Sequence, residues 1–275
     1  MKLTLTWLLL VAVQADAQLQ LVPASAPTTV FAGMARPLSL VWHNAGEQTV
    51  TAPIRAQIYQ TTMATAVRLS DAPWKTLTVL AQQTVSETAA LDFPAVKAET
   101  RFIVQWWENT NHLLGTTEIW VYPINLMAEL KSLVGEDQAV GIFDPGNVLK
   151  PLLKSAKVEF EDLEDAGIAS FRGRLAILGP FPHRQQMPTD LAERIGNLAS
   201  KNVGVVWIQP PASPSARLKP SFYTLPSGTN AVVVVQASLL DQLADQPQPQ
   251  FKLLQLCRLS QNPEPLTLLS STIQP

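Results

Sequence analysis

Side chains able to do chemistry are few and scattered in this chain. The three histidines, His43, His112 and His183, stand far apart, without the three- or four-residue spacing that sets two imidazoles on one zinc ion. No metal site and no cofactor is expected. The single cysteine, Cys257, has no partner for an intramolecular disulfide. It lies in Phe251-Lys-Leu-Leu-Gln-Leu-Cys-Arg-Leu, on the apolar side of a helical pattern that predicts burial rather than reactivity. Asp144-Pro-Gly-Asn holds one glycine and matches neither glycine-rich fingerprint of nucleotide-binding loops. Asp144 and Glu161, each just after a predicted strand, form the carboxylate pair that glycosidic cleavage would use. Carboxylates at strand ends commonly cap helices or face water, and Glu161-Asp-Leu-Glu-Asp reads as a solvated acidic connection. With a net charge of −2 and no basic cluster, the chain lacks the footprint of nucleic-acid binding and of attachment to anionic lipid.

The elements that must position these residues fall into three segments. Lys2, the apolar run Leu3 to Val13 and the small-x-small Ala15-Asp-Ala predict a signal peptide over 1–17, a mature start at Gln18 and a secreted or periplasmic location. That run is too short to span roughly 30 Å of hydrocarbon as a helix, and the next richest stretch, Ala231 to Leu240, is broken by Gln236 and Ser238. No membrane span is expected after cleavage, and no cysteine follows the small residues to carry lipid.

From 18 to 124 short alternating runs are separated by turn residues, which predicts an immunoglobulin-like (Ig-like) antiparallel β-sandwich. Its strands include Pro37 to Asn44, Ile54 to Tyr59, Leu77 to Leu80, Arg101 to Glu108 and Thr116 to Tyr122. Without a disulfide, Trp42 and Trp106 are expected to pack against aliphatic side chains. Alternation puts Phe102, Val104 and Trp106 on one face and Ile103, Gln105 and Trp107 on the other, so one of the adjacent tryptophans points away from the core. An outward Trp107 beside Glu108 and Asn109 is either a platform for a sugar ring or a cover for an interface or sheet edge.

From 125 to 275 the pattern changes to helices alternating with continuous apolar runs, the mark of a buried parallel sheet. Strands are predicted at Gln138 to Phe143, Lys157 to Phe160, Arg174 to Gly179, Val203 to Ile208 and Ala231 to Val235. The helices are Asn125 to Leu133, one running from Asp144-Pro-Gly-Asn through Leu153, Thr189 to about Ser200, and a last region opening at Ser238 and interrupted near Gln246-Pro-Gln. The fold class is therefore a β-sandwich followed by a three-layer α/β domain with a mostly parallel five-stranded sheet, in the order 2-1-3-4-5 that right-handed crossovers favour. Pro210 to Asn230 reads as a long Pro- and Ser-rich loop.

Val140-Gly-Ile-Phe-Asp-Pro, Leu175-Ala-Ile-Leu-Gly-Pro, Val203-Gly-Val-Val-Trp-Ile-Gln and Val232-Val-Val-Val-Gln-Ala-Ser-Leu-Leu resemble the class I glutamine amidotransferase-like, flavodoxin-like domain. The likeness is to versions that follow β-sandwich modules in bacterial secreted proteins related to glycoside hydrolases. Enzymes of that family carry a Cys on a Gly-x-Cys-x-Gly turn after a strand and a later His-x-Glu. Here the matching strand end is Ile208-Gln-Pro-Pro, and no histidine follows His183. A Cys-His or Ser-His nucleophile lacks both its turn and its base.

Ligands of open α/β sheets sit outside the carboxyl ends of the strands. That rim comprises Asp144, the Gly179-Pro-Phe-Pro-His-Arg loop and Gln209, and His183 with Arg184 is placed to donate to an anionic or sugar group beside Asp144. The candidate ligand-binding residues are thus Asp144, His183, Arg184 and Gln209 on the α/β domain and Trp107 on the sandwich, with no catalytic residue assigned. The expected function is a non-catalytic, exported binding or scaffolding protein of the cell envelope, its partner a polysaccharide or another protein. The alternative is a carbohydrate-active hydrolase using carboxylates that the pattern does not single out.

Overall fold

The computed structural model describes residues 19–33, 35–135, 138–164, 167–181, 183–210 and 222–262. The signal-peptide assignment over 1–17 and most of the 210–230 loop lie outside them. The chain is a mixed α/β protein built from three sheets with antiparallel and mixed pairing. It divides into two compact units. The first takes the described residues up to Thr28 and those of Met34–Pro94 and Glu99–Val121; the second takes Thr29–Gly33, Ala95–Ala98 and the described residues from Tyr122 onward.

Strands β1 (Leu19–Val22), β2 (Thr28–Phe31), β3 (Arg36–Asn44), β4 (Val50–Thr61), β5 (Ala66–Val79), β6 (Thr84–Leu91), β7 (Thr100–Glu108) and β8 (His112–Tyr122) form two sheets, ordered β1-β3-β6 and β2-β8-β7-β4-β5. Alternation explains their inner faces: Leu38, Leu40 and Trp42 of β3 and Phe102, Val104 and Trp106 of β7 are buried, with more exposed residues between them. Asn44 closes the turn after β3 with a fully buried side chain. Its Nδ2 donates to the carbonyls of Gln48, Val79 and Leu80, and its Oδ1 accepts from Gly46 N–H.

The buried tryptophans do not rest on aliphatic side chains alone. Trp42 meets Trp106 edge-on at 6.0 Å between ring centroids, and Trp74 of β5 lies 6.1 Å from Trp42 and 5.1 Å from Trp106. Three indoles from β3, β5 and β7 thus pack against one another. The sequence reading left Trp74 out because β5 is a long edge strand exposed over most of its length, without a clean alternation.

In the second unit, β9 (Val140–Phe143), β10 (Phe160–Asp162), β11 (Leu175–Leu178), β12 (Gly204–Gln209), β13 (Phe222–Ser227) and β14 (Asn230–Gln236) form one sheet, ordered β10-β9-β11-β12-β14-β13. The first five are parallel, in the order predicted from right-handed crossovers, and β13 is antiparallel to β14. The sheet therefore has six strands rather than five. β13 occupies the end of the stretch read as a loop and joins β14 through a two-residue turn with Gly228 at φ +62°. As the edge strand it tolerates Pro226 and leaves Tyr223 and Leu225 about half exposed, so it lacks the continuous apolar run of its buried neighbours. The strand expected at Lys157 to Phe160 lies instead at Phe160–Asp162, where Glu161 pairs with Gly141 and Asp162 with Ile142.

Helices α1 (Leu130–Val134), α2 (Leu149–Ser155), α3 (Leu191–Ser200) and α4 (Pro247–Gln261) complete this unit. Leu191, Ile195 and Leu198 of α3 share a cluster with Ala176, Leu178, Val205, Val232 and Val234. On the opposite side of β12, a Cβ at Gly204 would meet Ser260 of α4 at 2.9 Å, so α4 packs tightly there. Pro247 starts α4 instead of interrupting a helix begun at Ser238, because its missing N–H is harmless in a first turn. Buried Gln250 accepts from Leu126 N–H and donates to Leu243 O, both at 2.9 Å. Cys257 is fully buried, and that burial pushes its thiol far above the ordinary range. Among the described residues no helix is long and apolar enough to cross a membrane.

Candidate functional site

At the strand-end rim of the second unit, among the described residues, no hydrogen bond or ion pair joins Asp144 to His183, Arg184 or Gln209. Asp144, directly after β9, is buried, and its Oδ2 accepts from the backbone N–H groups of Leu149 (2.7 Å) and Lys150 (3.0 Å). It caps the first turn of α2 from five residues upstream, a role whose sequence signature is indistinguishable from that of a ligand-binding carboxylate at a strand end. His183 and Arg184 are exposed on a 3-10 turn closed internally by the bonds between His183 and Gln186, and neither is among the contacts of Asp144. Gln209 ends β12, half-buried and in register with Gln236. The loop between is held close to the sheet by Gly179, whose N–H donates to Phe143 O at 2.7 Å. Its φ of +99° and the 2.5 Å from a would-be Cβ to Ile208 O leave room for glycine alone.

What gathers at this rim is an ion cluster. Lys150 Nζ lies 2.6 Å from Asp162 and 2.7 Å from Glu164, and Glu164 also accepts from Asp144 N–H at 3.1 Å. Partial burial opposes the charge on Lys150, but its hydrogen bonds to Asp162 and Glu164 outweigh it and raise the pKa above 10.5. Partial burial likewise opposes ionisation of Asp162, yet the hydrogen bonds from Lys150 and the Glu164 backbone hold it below 3.8. Its contribution to stability is therefore present above 3.8 and lost as pH falls through the lower folded value; that of Lys150 is present below 10.5 and lost as pH rises through its raised value.

Two tests separate these structural roles from ligand binding. Asp144→Ala is expected to cost about 0.5–2 kcal/mol by removing the acceptor of two N–H groups, and Asp144→Asn, which keeps one acceptor oxygen, to recover most of it. Denaturant titration of the two variants measures the difference. Lys150→Met is expected to cost about 1–2 kcal/mol at neutral pH. Thermal melting followed from pH 7 to well below 3.8 should show that penalty shrink as Asp162 protonates.

The first unit gathers its chemistry on the outer face of the sheet containing β4, β5, β7 and β8. Trp107 points outward, as alternation predicts, and is half-buried. The register places Arg55 and Leu113 beside Trp107, Gln57 and Thr116 beside Gln105, Tyr59 and Glu118 beside Ile103, and Thr61 and Trp120 beside Arg101. Three aromatic rings, Tyr59, Trp107 and Trp120, therefore share this face, each half-buried.

Each ring is fixed in the same way, by a hydrogen bond to the side chain two residues earlier on its own strand. Trp107 Nε1 donates to Gln105 Oε1 (3.3 Å), Trp120 Nε1 to Glu118 Oε1 (3.0 Å) and Tyr59 Oη to Gln57 Oε1 (2.8 Å). Because residues i and i−2 lie on one face of a strand, these bonds draw the rings along the sheet. The acceptors are held in turn. Gln57 Nε2 donates to Asp71, which also accepts from Arg55 at 2.8 and 3.1 Å and lies 3.7 Å from Arg68. Glu118 accepts from Arg101 at 2.9 Å. The Arg55 hydrogen bond holds Asp71 below the usual carboxylate range, and that of Arg101 does the same for Glu118. Such a face offers flat apolar rings framed by amides and paired charges, which suits stacking with hydrogen bonding. Tyr59 and Trp120 escaped the sequence reading, although the alternation that turned Trp107 outward applies to both.

The class thus defined is a two-unit protein, antiparallel β followed by mixed α/β, with an aromatic sheet face. No family model and no curated protein matches the chain. Its solved-structure neighbours are distant. Part of the chain is similar to a Pseudomonas fluorescens alkylpurine DNA glycosylase (12% identity, 38% of this chain and 31% of that one, TM-score 0.31). It is also similar to a Listeria innocua β-glucosidase (13%, 38% and 16%, 0.28) and to an Acinetobacter baumannii complex of a pilus chaperone with a tip adhesion subunit (9%, 41% and 60%, 0.29). The chain spans less than two thirds of the length of each.

Proposed function

We propose that this chain is an exported, non-catalytic binding protein of the cell envelope that holds a polysaccharide on the outer sheet face of its first unit. The observation that carries this reading is the set of three rings, Tyr59, Trp107 and Trp120, tied down on one face and bordered by Gln57, Gln105, Arg55 and Asp71. Sugar rings present apolar C–H faces and rims of hydroxyls, and stacked rings with flanking amides answer both.

The strand orders β1-β3-β6 and β2-β8-β7-β4-β5 support an Ig-like sandwich for this unit, because the sheets exchange strands as Greek-key connections do. The parallel order β10-β9-β11-β12-β14 supports an amidotransferase-like second domain, and Gln209-Pro210 at the end of β12, without a cysteine, supports its being inert. Asp144 commits its Oδ2 to the first turn of α2.

A thermal-shift screen of residues 18–275 against soluble glycans and cell-wall fragments tests the reading. A ligand at 100 times its dissociation constant adds about 2.7 kcal/mol of stability. Stabilisation by at least one glycan is expected, whereas no shift across the panel would overturn the polysaccharide reading in favour of a protein partner.

A further inference from the structure

Resting on that reading, we infer that the glycan held by this sheet face is acidic, and that Arg68 receives its carboxylate or sulfate beside the rings. The place follows from the way the side chains lean. Gln105, Gln57 and Asp71 lie opposite one another on β7, β4 and β5 and form one row across the outer face. Trp107 is bonded back to Gln105 and Tyr59 to Gln57, so these two rings approach the row from opposite sides. Arg55, opposite Trp107, and Arg68, opposite Tyr59, approach Asp71 from the same two sides. Trp120 is drawn back toward Glu118 in the same manner, so the rings and the arginines all lean to the middle of the face.

The charge follows from which donors are already spent. Arg55 reaches Asp71 Oδ1 through Nε and Nη2 at 3.1 and 2.8 Å, and Gln57 donates to Oδ2 at 3.1 Å. Arg68 Nη1 stops 3.7 Å from Oδ2, beyond hydrogen-bond reach, and Arg68 makes no hydrogen bond among the described residues. Arg101 is matched by Glu118, and Glu108 at the end of β7 is taken up by His112. Three arginines against two carboxylates therefore leave one positive charge on the face. Arg68, with 56% of its side chain accessible, is the most exposed of the three and the one with donors to spare. A planar guanidinium meets a carboxylate or sulfate with two parallel N–H groups when those groups are not engaged elsewhere. Beside Tyr59 and Trp107 it lets one ligand stack its C–H face and pair its acid group in a single pose, whereas a neutral sugar would leave Arg68 unpaired.

Affinity electrophoresis of residues 18–275 tests this with polymers matched in backbone: polygalacturonate against its methyl ester, carboxymethyl cellulose against hydroxyethyl cellulose, and dextran sulfate against dextran. The first two pairs carry carboxylates and the third sulfates, which separates the two acid groups. The acidic member of at least one pair should bind about tenfold more tightly than its neutral partner, and added salt should narrow the difference. Arg68→Gln should bring the acidic polymer down to the level of the neutral one, whereas Arg68→Lys, which keeps the charge and loses the fork, should retain part of the preference. Melting temperatures of both variants check their folds. With a net charge of −2 the chain as a whole repels polyanions, so a preference lost with one arginine is local to it. Equal binding of the two members of every pair, or a preference that survives Arg68→Gln, would overturn this inference and leave glycan binding itself standing. Failure of every polymer, charged or not, would overturn both.

Discussion

Replacing Trp106 with alanine is expected to cost about 3–5 kcal/mol, enough by itself to remove much of the stability of a small domain. Its ring is fully buried, contacts Trp42 and Trp74, and satisfies its N–H on Thr117 Oγ1 at 2.9 Å. Removing it opens a cavity between two sheets and strips two other indoles of a partner. Phenylalanine refills part of the volume and should recover part of the loss, while leaving Thr117 without its donor. Urea unfolding of Trp106→Ala and Trp106→Phe measures both; a loss under about 1 kcal/mol for the alanine variant would mean that the three-indole cluster does not hold the sheets together.

The residue next to it should behave in the opposite way. Trp107→Ala is expected to change stability by less than about 1 kcal/mol, since the ring covers an outer face, and to weaken glycan binding by tenfold or more. Tyr59→Ala should weaken binding less, because Tyr59 lies beside the line from Trp107 to Trp120 rather than on it. Calorimetric titration of the best glycan from the screen, with unfolding of the same variants, separates the two effects. Equal loss of binding and stability in Trp107→Ala would assign that ring to packing, the alternative that its sequence context leaves open.

The contrast between Trp106 and Trp107 was legible in the sequence because a strand has period two and Phe102 and Val104 mark the inner face. The order of the five parallel strands was legible for a similar reason: continuous apolar runs separated by helices admit few right-handed connections. The partners of Trp107 were not legible, since Tyr59 and Trp120 come from other strands and meet it only through the register of β4, β7 and β8. The edge strand β13 hid behind its exposed alternation and its proline. The capping role of Asp144 was not legible because helix capping and ligand binding ask for the same carboxylate at the same place, and only its hydrogen bonds to Leu149 and Lys150 reveal it.

The buried thiol of Cys257 makes the second unit its own gauge of opening. Alkylating reagents and disulfides react with the thiolate, and burial in α4 both blocks access and suppresses that form. Labelling must therefore wait for α4 to leave the sheet. Under native conditions the labelling rate relative to that of a free thiol then reads the population of that open state directly, with no engineered probe. Under oxidising conditions the same coupling means that this cysteine can be oxidised only through such openings.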